Sequence, residues 1–213
     1  MKRALLIVVM LGAAVAVRAD SLTIGLASSG TSADPGQTNA LGTTVAIAPH
    51  PAWAPALPGS SWVSFGVTGD PTAPGYFEVP TGTVVAFNQN FFIPGTVDSG
   101  WLTVMGDDSL TVLLNGNTLL LEAPSSGNAY GACSDFGPGC LLETQVTLDL
   151  TPYLQTGDNT LQFLVAQRAG TSFGLDYAGE IHDAAPVPEP STILMLGTGL
   201  CGVLGAARRK LQR

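Results

Sequence analysis

Short apolar runs, interrupted every few residues by glycine, proline, asparagine or aspartate, constrain the fold of this chain more than any other feature. The 213 residues include 26 Gly and 15 Pro, and no segment has the pattern of a long amphipathic helix. Apolar and polar residues alternate instead, as around Leu161, Phe163 and Val165, which is typical of strands buried on one face. We predict strands at 61–67, 83–92, 100–105, 109–114, 117–122, 144–150, 159–167 and 172–181.

Two turns support the strand prediction. Asn115 and Gly116 stand between two apolar runs, which is the strongest short hairpin signal in a sequence. Residues 151–159 predict a single helical turn followed by a Gly-Asp-Asn turn into the next strand. About eight short strands with regular turns predict an all-β fold, namely a β-sandwich of the jelly-roll type.

The order of these pieces resembles the galactose-binding-like sandwich. A Trp-containing strand is followed by Gly-Asp-Asp, a Val/Leu-rich strand into Asn-Gly, an insertion, and the stretch LDLTPYLQTGDNTL, all within residues 86–181. The resemblance implies a module of the kind found as sugar-binding accessory domains of glycoside hydrolases and in secreted adhesive proteins. These landmarks are structural, so the resemblance assigns no sugar-contacting residue.

Charge is distributed unevenly along the chain. Seven of the eight basic residues precede residue 19 or follow residue 207, whereas Asp20 to Val187 holds one cation, Arg168, and fifteen carboxylates, a formal charge of −14. Nucleic-acid binding needs clustered Lys and Arg to neutralise phosphates, so this class of partner is excluded.

The N-terminal end has the three parts of a secretory signal peptide. Lys2 and Arg3 precede an apolar run at 4–17, and small residues surround Ala19. We predict a signal peptide at 1–19, cut by signal peptidase between Ala19 and Asp20; an uncleaved membrane anchor is the alternative. The exported domain is then 20–185, with a Pro/Gly-rich first part at 20–58 that favours extended structure.

The C-terminal end predicts a membrane segment with a basic tail. The apolar run 192–207 would form a helix of about 24 Å, short for a bilayer core of about 30 Å but sufficient with snorkelling flanks. Arg208, Arg209 and Lys210 follow directly and are expected to stay in the cytoplasm. The precursor is therefore predicted to be anchored in the inner membrane.

The whole segment 186–213 resembles the PEP-CTERM sorting signal. Pro188, Glu189 and Pro190 stand in the positions of its motif, and the apolar run carries the small residues typical of its helix, which are Gly197, Gly199 and Gly202. The resemblance implies a Gram-negative bacterial protein that an exosortase recognises and processes near the motif, on its way to the cell surface or extracellular matrix.

Two of the three cysteines lie close together in a turn-rich loop. Cys133 and Cys140 are expected to form a disulfide in an oxidising compartment, whereas Cys201 is a small apolar residue of the C-terminal run. A metal site in this loop would need further ligands, and the two histidines, His50 and His182, are distant in sequence.

Five acidic residues are candidates for a metal or catalytic site. Asp107 and Asp108 are adjacent and could contribute to a Ca²⁺ site; the alternative is that they cap a turn and face solvent. Glu143, Asp176 and Glu180 could pair as glycosidase carboxylates, or be solvated strand ends. No nucleophile motif or phosphate loop is present, so we predict no catalytic residue and no cofactor other than calcium.

The aromatic residues and Arg168 are candidates for ligand contact. Trp53, Trp62 and Trp101 are the side chains best able to stack on a sugar ring. Trp101 begins an apolar strand and is expected in the core, whereas Trp53 is the better candidate for an exposed platform, with packing as its alternative. Arg168 is expected to pair with a strand-end acid such as Asp176, or else to bind an anionic ligand.

Together these features predict an exported, non-enzymatic surface or extracellular-matrix protein whose body binds extracellular polysaccharide. A polysaccharide-active enzyme of the biofilm matrix and a calcium-stabilised structural adhesin are the alternatives.

Overall fold

A computed structural model describes residues 21–29, 43–122, 137–168 and 170–184. These residues belong to one compact unit, Ser21–Ala185. The predicted signal peptide with Ala19 and Asp20, the cysteine Cys133, and the whole segment 186–213 lie outside the described residues.

Ten strands are described, and every pairing between them is antiparallel. They are β1 (Ser21–Ala27), β2 (Val45–Ala46), β3 (Val63–Ser64), β4 (Val84–Ile93), β5 (Thr96–Asp107), β6 (Ser109–Leu114), β7 (Asn117–Leu120), β8 (Val146–Asp149), β9 (Gly157–Ala166) and β10 (Gly174–Ala184).

The strands form two sheets. The six-stranded sheet has the order β2-β3-β10-β5-β8, with β1 also paired to β10, and the four-stranded sheet has the order β4-β9-β6-β7. From β3 to β6, and again from β7 to β10, successive strands alternate between the two sheets. The predicted all-β sandwich with jelly-roll connections is therefore confirmed.

Alternation along the strands places one apolar row from each sheet in the core between them. On β9, Leu161, Phe163 and Val165 are fully buried, as their spacing predicts. The Phe163 ring stacks on that of Tyr177 from β10, with 4.4 Å between ring centroids. This contact joins the two sheets near the middle of the sandwich.

A second, smaller apolar cluster lies on the outer side of the six-stranded sheet. It contains Trp53, Ala54, Trp62, Met105 and Cys140. The N–H of Ala54 donates to the carbonyl of Cys140 at 2.8 Å, and the indole N–H of Trp62 donates to the carbonyl of Ala54 at 3.0 Å. The Pro-rich segment is thus packed onto the sheet, where it covers one end of the outer face.

The predicted hairpin turn and helical turn are present, whereas Gly157, Asp158 and Asn159 do not form the expected turn but begin β9, paired with β4. Asn115 and Gly116 have φ values of 52° and 79° and link Leu114 to its partner Asn117, which is a two-residue hairpin. A single 3₁₀ turn spans Thr151–Tyr153. None of the helices in the described ranges has the length and apolarity that crossing a membrane requires; the predicted membrane helix at 192–207 lies outside those ranges.

Each of the eight predicted segments contains an observed strand, although 61–67 contributes only Val63–Ser64, and two further strands were not predicted. β1 and β2 both lie in the part of the chain expected to be merely extended. The available signal for β1 was the alternation of Leu22, Ile24 and Leu26, of which Leu26 is buried in the core. β2 has two residues, Val45 and Ala46, too few to show any period.

Candidate functional site

Trp101 lies on the outer face of the six-stranded sheet, in the middle of β5. Its side chain is 40% exposed, so the prediction that it belongs to the core is wrong. Leu102 and Val104, which have the opposite parity on the same strand, are the residues that enter the core. The apolar run does form a strand, but Trp101 is on its outer face and not on the face that packs in the core.

Two carboxylates flank the Trp101 side chain. β5 lies between β10 and β8, and Trp101 is directly opposite Glu180 on β10 and Asp149 on β8. Direct cross-strand partners point to the same side of a sheet, with Cβ atoms about 5 Å apart. Both acids are exposed. The indole is therefore placed between two acidic side chains.

Hydroxyl and imidazole groups surround this central trio. Thr103 and Thr147 are cross-strand partners whose hydroxyl oxygens are 2.8 Å apart. His182 hydrogen-bonds through Nδ1 to the Thr23 hydroxyl at 3.3 Å, and its Nε2 lies 3.8 Å from Glu180 Oε2. We define the Trp101 face by its members, which are Thr23, Ser99, Trp101, Thr103, Thr147, Asp149, Glu180 and His182.

Asp176 anchors the cover over the other end of the same face. It points outward on β10, four residues before Glu180, but is completely buried beneath the Pro-rich segment. Its carboxylate accepts hydrogen bonds from the hydroxyls of Ser28 (3.0 Å) and Ser60 (2.5 Å) and from the N–H of Leu57 (2.8 Å). Burial raises the pKa of Asp176, while these hydrogen bonds oppose the rise.

The interpretation of Asp176 as a solvated strand end is therefore wrong. It also lies about 13 Å along β10 from Glu180, since strands rise about 3.3 Å per residue, so these two acids do not form a catalytic pair. Glu143 is exposed in the 3₁₀ turn Leu142–Thr144, where it agrees with the solvated alternative.

Arg168 makes an ion pair with Glu122, not with Asp176. Its backbone N–H donates to Asp108 Oδ2 at 2.6 Å. The predicted partner was wrong because Asp176 lies under the Pro-rich segment, whereas pairing of the strands in the other sheet brings residue 122 close to residue 168. The ion pair leaves the anionic-ligand alternative for Arg168 without support from the geometry.

Asp107 and Asp108 are both buried, so the expectation that they face solvent is wrong. Burial is the first cause that raises the pKa of Asp107 well above its usual range, followed by its hydrogen bond to Asp108 and the charge of that residue. The Trp53 side chain hydrogen-bonds to Asp107 and partly offsets this rise. Within the described residues no three His, Cys, Asp or Glu side chains are grouped so as to hold a metal ion, and calcium binding stays a prediction.

The remaining two tryptophans are packed together. Trp53 is 8% exposed and Trp62 1%, and their ring centroids are 4.4 Å apart. The packing alternative for Trp53 is therefore correct, and the exposed-platform interpretation is wrong for that residue. His50 lies beside Trp53, with 6.2 Å between ring centroids, whereas His182 belongs to the Trp101 face.

Only one of the two cysteines of the predicted disulfide lies in the described part of the chain. Cys140 is buried in the second cluster, and its predicted partner Cys133 is outside that part. The Cys133–Cys140 disulfide therefore stays a prediction.

The chain was compared with curated protein sequences and with solved structures. No curated protein matches the sequence. The structure is similar to an alpha-L-rhamnosidase from Streptomyces avermitilis, solved in complex with L-rhamnose, at 19% identity over 62% of this chain and 11% of that chain, with a TM-score of 0.45. The chain thus spans about a tenth of the length of that enzyme.

Small modules are also among the structural neighbours. A family 35 carbohydrate binding module from Clostridium thermocellum is 13% identical over 76% of this chain and 93% of its own, with a TM-score of 0.31. A CBM35 module from Paenibacillus barcinonensis is 16% identical over 73% of this chain and 95% of its own, with a TM-score of 0.33. Because these TM-scores are below 0.5, we draw no ligand or activity from them.

The C-terminal segment matches a family model. Residues 186–210 match the PEP-CTERM protein-sorting motif, which confirms the resemblance noted from Pro188, Glu189 and Pro190. This motif implies processing by an exosortase-type enzyme and indicates an exported protein that is anchored and then processed for the cell surface.

Proposed function

We propose that this protein is sorted through its C-terminal motif to the cell surface or extracellular matrix of a Gram-negative bacterium, where its sandwich binds polysaccharide on the Trp101 face. The sorting step rests on the match at 186–210. The binding step rests on one observation: a half-exposed tryptophan in the middle of an interior strand, with polar side chains on both neighbouring strands.

A flat indole among hydrogen-bonding groups suits a sugar ring. The apolar faces of a pyranose pack on an aromatic plane, and its hydroxyls need donors and acceptors at the rim. Other exposed aromatics lack this setting: Phe92 is near the end of the edge strand β4, Phe77 is in a loop and Tyr153 is in the 3₁₀ turn. Trp101 combines exposure with a polar frame.

Glycan-array binding of the full-length protein in detergent tests this proposal. We expect at least one polysaccharide or oligosaccharide to bind, and Trp101→Ala to weaken that binding at least tenfold, since truncating an anchoring tryptophan costs about 2 kcal/mol. Phe92→Ala is the matched control, because Phe92 is exposed on the other sheet, and it should leave binding unchanged. Absence of glycan binding, or full binding by Trp101→Ala, would refute the proposal.

The enzymatic alternative makes a different prediction. Glycoside hydrolysis requires one carboxyl group that is protonated and one that is ionised. Hydrogen bonds from the side chain and N–H of Thr151 lower the pKa of Asp149, which disfavours it as the acid. We expect incubation with any bound polysaccharide to release no reducing ends; release that Glu180→Gln abolishes would show the protein to be an enzyme.

A further inference from the structure

The charge around Trp101 restricts which polysaccharide the face would select. Its two direct cross-strand partners, Glu180 and Asp149, are both carboxylates, on opposite sides of the indole. The hydrogen bonds from Thr151 that lower the pKa of Asp149 keep this residue anionic. The centre of the face is therefore a tryptophan between two acids.

Few positive charges oppose these carboxylates. Arg168 is the sole Lys or Arg between Asp20 and Val187, and it is paired with Glu122. The basic group on the face itself is His182, whose Nε2 is 3.8 Å from Glu180 and whose Nδ1 is hydrogen-bonded to Thr23. Polymers rich in uronate, sulfate or phosphate would meet repulsion from Glu180 and Asp149, since the face has two carboxylates and one basic side chain, His182.

An indole with flanking carboxylates matches an ammonium group. The negative face of the tryptophan ring attracts a cation within about 6 Å of its centroid, and carboxylates form charge-assisted hydrogen bonds with N–H donors. A neutral sugar would contact the indole and hydrogen-bond to the polar side chains around it, but it would bring no positive charge to the two acids. A sugar with a free amino group would engage all three side chains.

We propose that the Trp101 face selects a polysaccharide of amino sugars whose nitrogens are free amines rather than N-acetyl groups. The cation binds between Glu180 and Asp149 over or beside the indole, and the hydroxyls of Thr103, Thr147 and Ser99 face the ring hydroxyls of the neighbouring sugars. This inference rests on the proposed function, because it names the ligand class of the same face.

Paired oligosaccharides test the inference on the full-length protein in detergent. Hexamers of β-1,4-linked glucosamine, β-1,4-linked N-acetylglucosamine and β-1,4-linked glucose share a backbone and differ at one position of each ring. By titration calorimetry we expect the glucosamine hexamer to bind at least tenfold more tightly than the other two. Equal or tighter binding of the neutral hexamers through Trp101 would overturn the inference and leave the proposed function standing.

Two charge variants separate local recognition from general attraction. The double variant Glu180→Gln, Asp149→Asn should remove the preference for the glucosamine hexamer over the glucose hexamer. Glu143→Gln, Asp158→Asn makes the same change in net charge at two exposed acids outside the face and should keep the preference. Equal loss in both double variants would overturn the inference, because attraction to the acidic body as a whole would then explain it.

If none of the three hexamers binds, the amino-sugar inference is refuted, and the glycan array decides the proposed function separately. Trp101→Ala should weaken the binding of every hexamer that binds. Retained binding in that variant would refute both proposals, because it would place the glycan elsewhere on the molecule.

Discussion

Trp101 and Glu180 lie directly opposite each other on β5 and β10, and both side chains point to the solvent side of the six-stranded sheet. Four residues from this pair towards the covered end, Asp176 on β10 pairs with Met105 on β5, and both are buried beneath the Pro-rich segment. One face of one sheet is thus covered at one end and open at the other, and the open end carries the indole.

The hydrogen bonds of Asp176 should make it a main anchor of this cover. Asp176→Ala would leave the N–H of Leu57 without its acceptor. It would also remove one of the acceptors of the Ser28 and Ser60 hydroxyls, each of which still has a backbone carbonyl within reach. One unsatisfied donor costs about 1–3 kcal/mol, so we expect destabilisation of about 2 kcal/mol in urea unfolding. Glu180→Ala, an exposed change on the same strand, should stay within about 0.5 kcal/mol; equal effects of the two substitutions would contradict the anchoring role.

Asp107 should make stability fall as pH rises. Its folded-state pKa is raised above the ordinary value of 3.8, so the folded protein holds the proton more tightly than the unfolded chain. The favourable contribution is complete below pH 3.8 and is lost as the pH rises through the raised pKa. Asn has no proton to lose, so Asp107→Asn does not suffer this loss of stability. The Tm of the variant minus that of the unsubstituted protein should therefore increase by about 2 °C or more from pH 4 to pH 7.

Asp149 should change the stability of the protein with pH in the opposite direction to Asp107, so it serves as a control. Its pKa is lowered by Thr151, so its contribution is present above the ordinary pKa of 3.8 and is lost as the pH falls through the lowered value. The Tm of Asp149→Ala should therefore approach that of the unsubstituted protein under acid conditions. If the Tm difference between variant and unsubstituted protein changed with pH in the same direction for Asp107→Asn as for Asp149→Ala, the burial argument for Asp107 would be wrong.

The C-terminal motif should determine the final location of the protein. Replacing Pro188, Glu189 and Pro190 by alanine leaves the apolar run intact, so we expect an unprocessed precursor that stays with the inner membrane. Deleting residues 188–213 removes the anchor as well, and the protein should be released on export. Fractionation with immunoblotting distinguishes the products, and normal surface display of either variant would contradict the sorting role of this segment.

The predicted disulfide can be tested on the exported protein. Peptide mapping without reduction should find Cys133 linked to Cys140, and reductant should lower stability by about 2 kcal/mol, the scale for closing a short loop. Cys201→Ala is the control and should leave both results unchanged. Free thiols at both positions in the exported protein would contradict the prediction.

Local signals explain how much of the fold was predictable. The Asn115-Gly116 turn needs two positive φ values that these residues tolerate, and period-two alternation marks β9, so both are readable from neighbouring residues alone. The exposure of Trp101 could not be predicted from the sequence, because Val104 and Met105, which have opposite parity on the same strand, are both buried. At that end the sheet is covered on both sides, so the sequence around β5 has no single apolar face.

Long-range contacts explain what was missed at the site. The pairing of Arg168 with Glu122 and the burial of Asp176 under Leu57 join residues 46 and 119 positions apart. Such contacts depend on strand order and on where the Pro-rich segment lies, which no local pattern specifies. Glu180 and Asp149 were separate acids in the sequence, and the register of β5 with its two neighbours is what places them beside one tryptophan.

Acrylamide quenching of tryptophan fluorescence, with and without the bound glycan, tests the central claim most directly. Trp53 and Trp62 are buried, whereas Trp101 is 40% exposed, so the readily quenched fraction reports on one indole. We predict that the glycan protects this fraction and that Trp101→Phe removes the glycan-dependent change. Saturating glycan that leaves quenching unaltered, or an equal change in Trp101→Phe, would contradict binding on the Trp101 face.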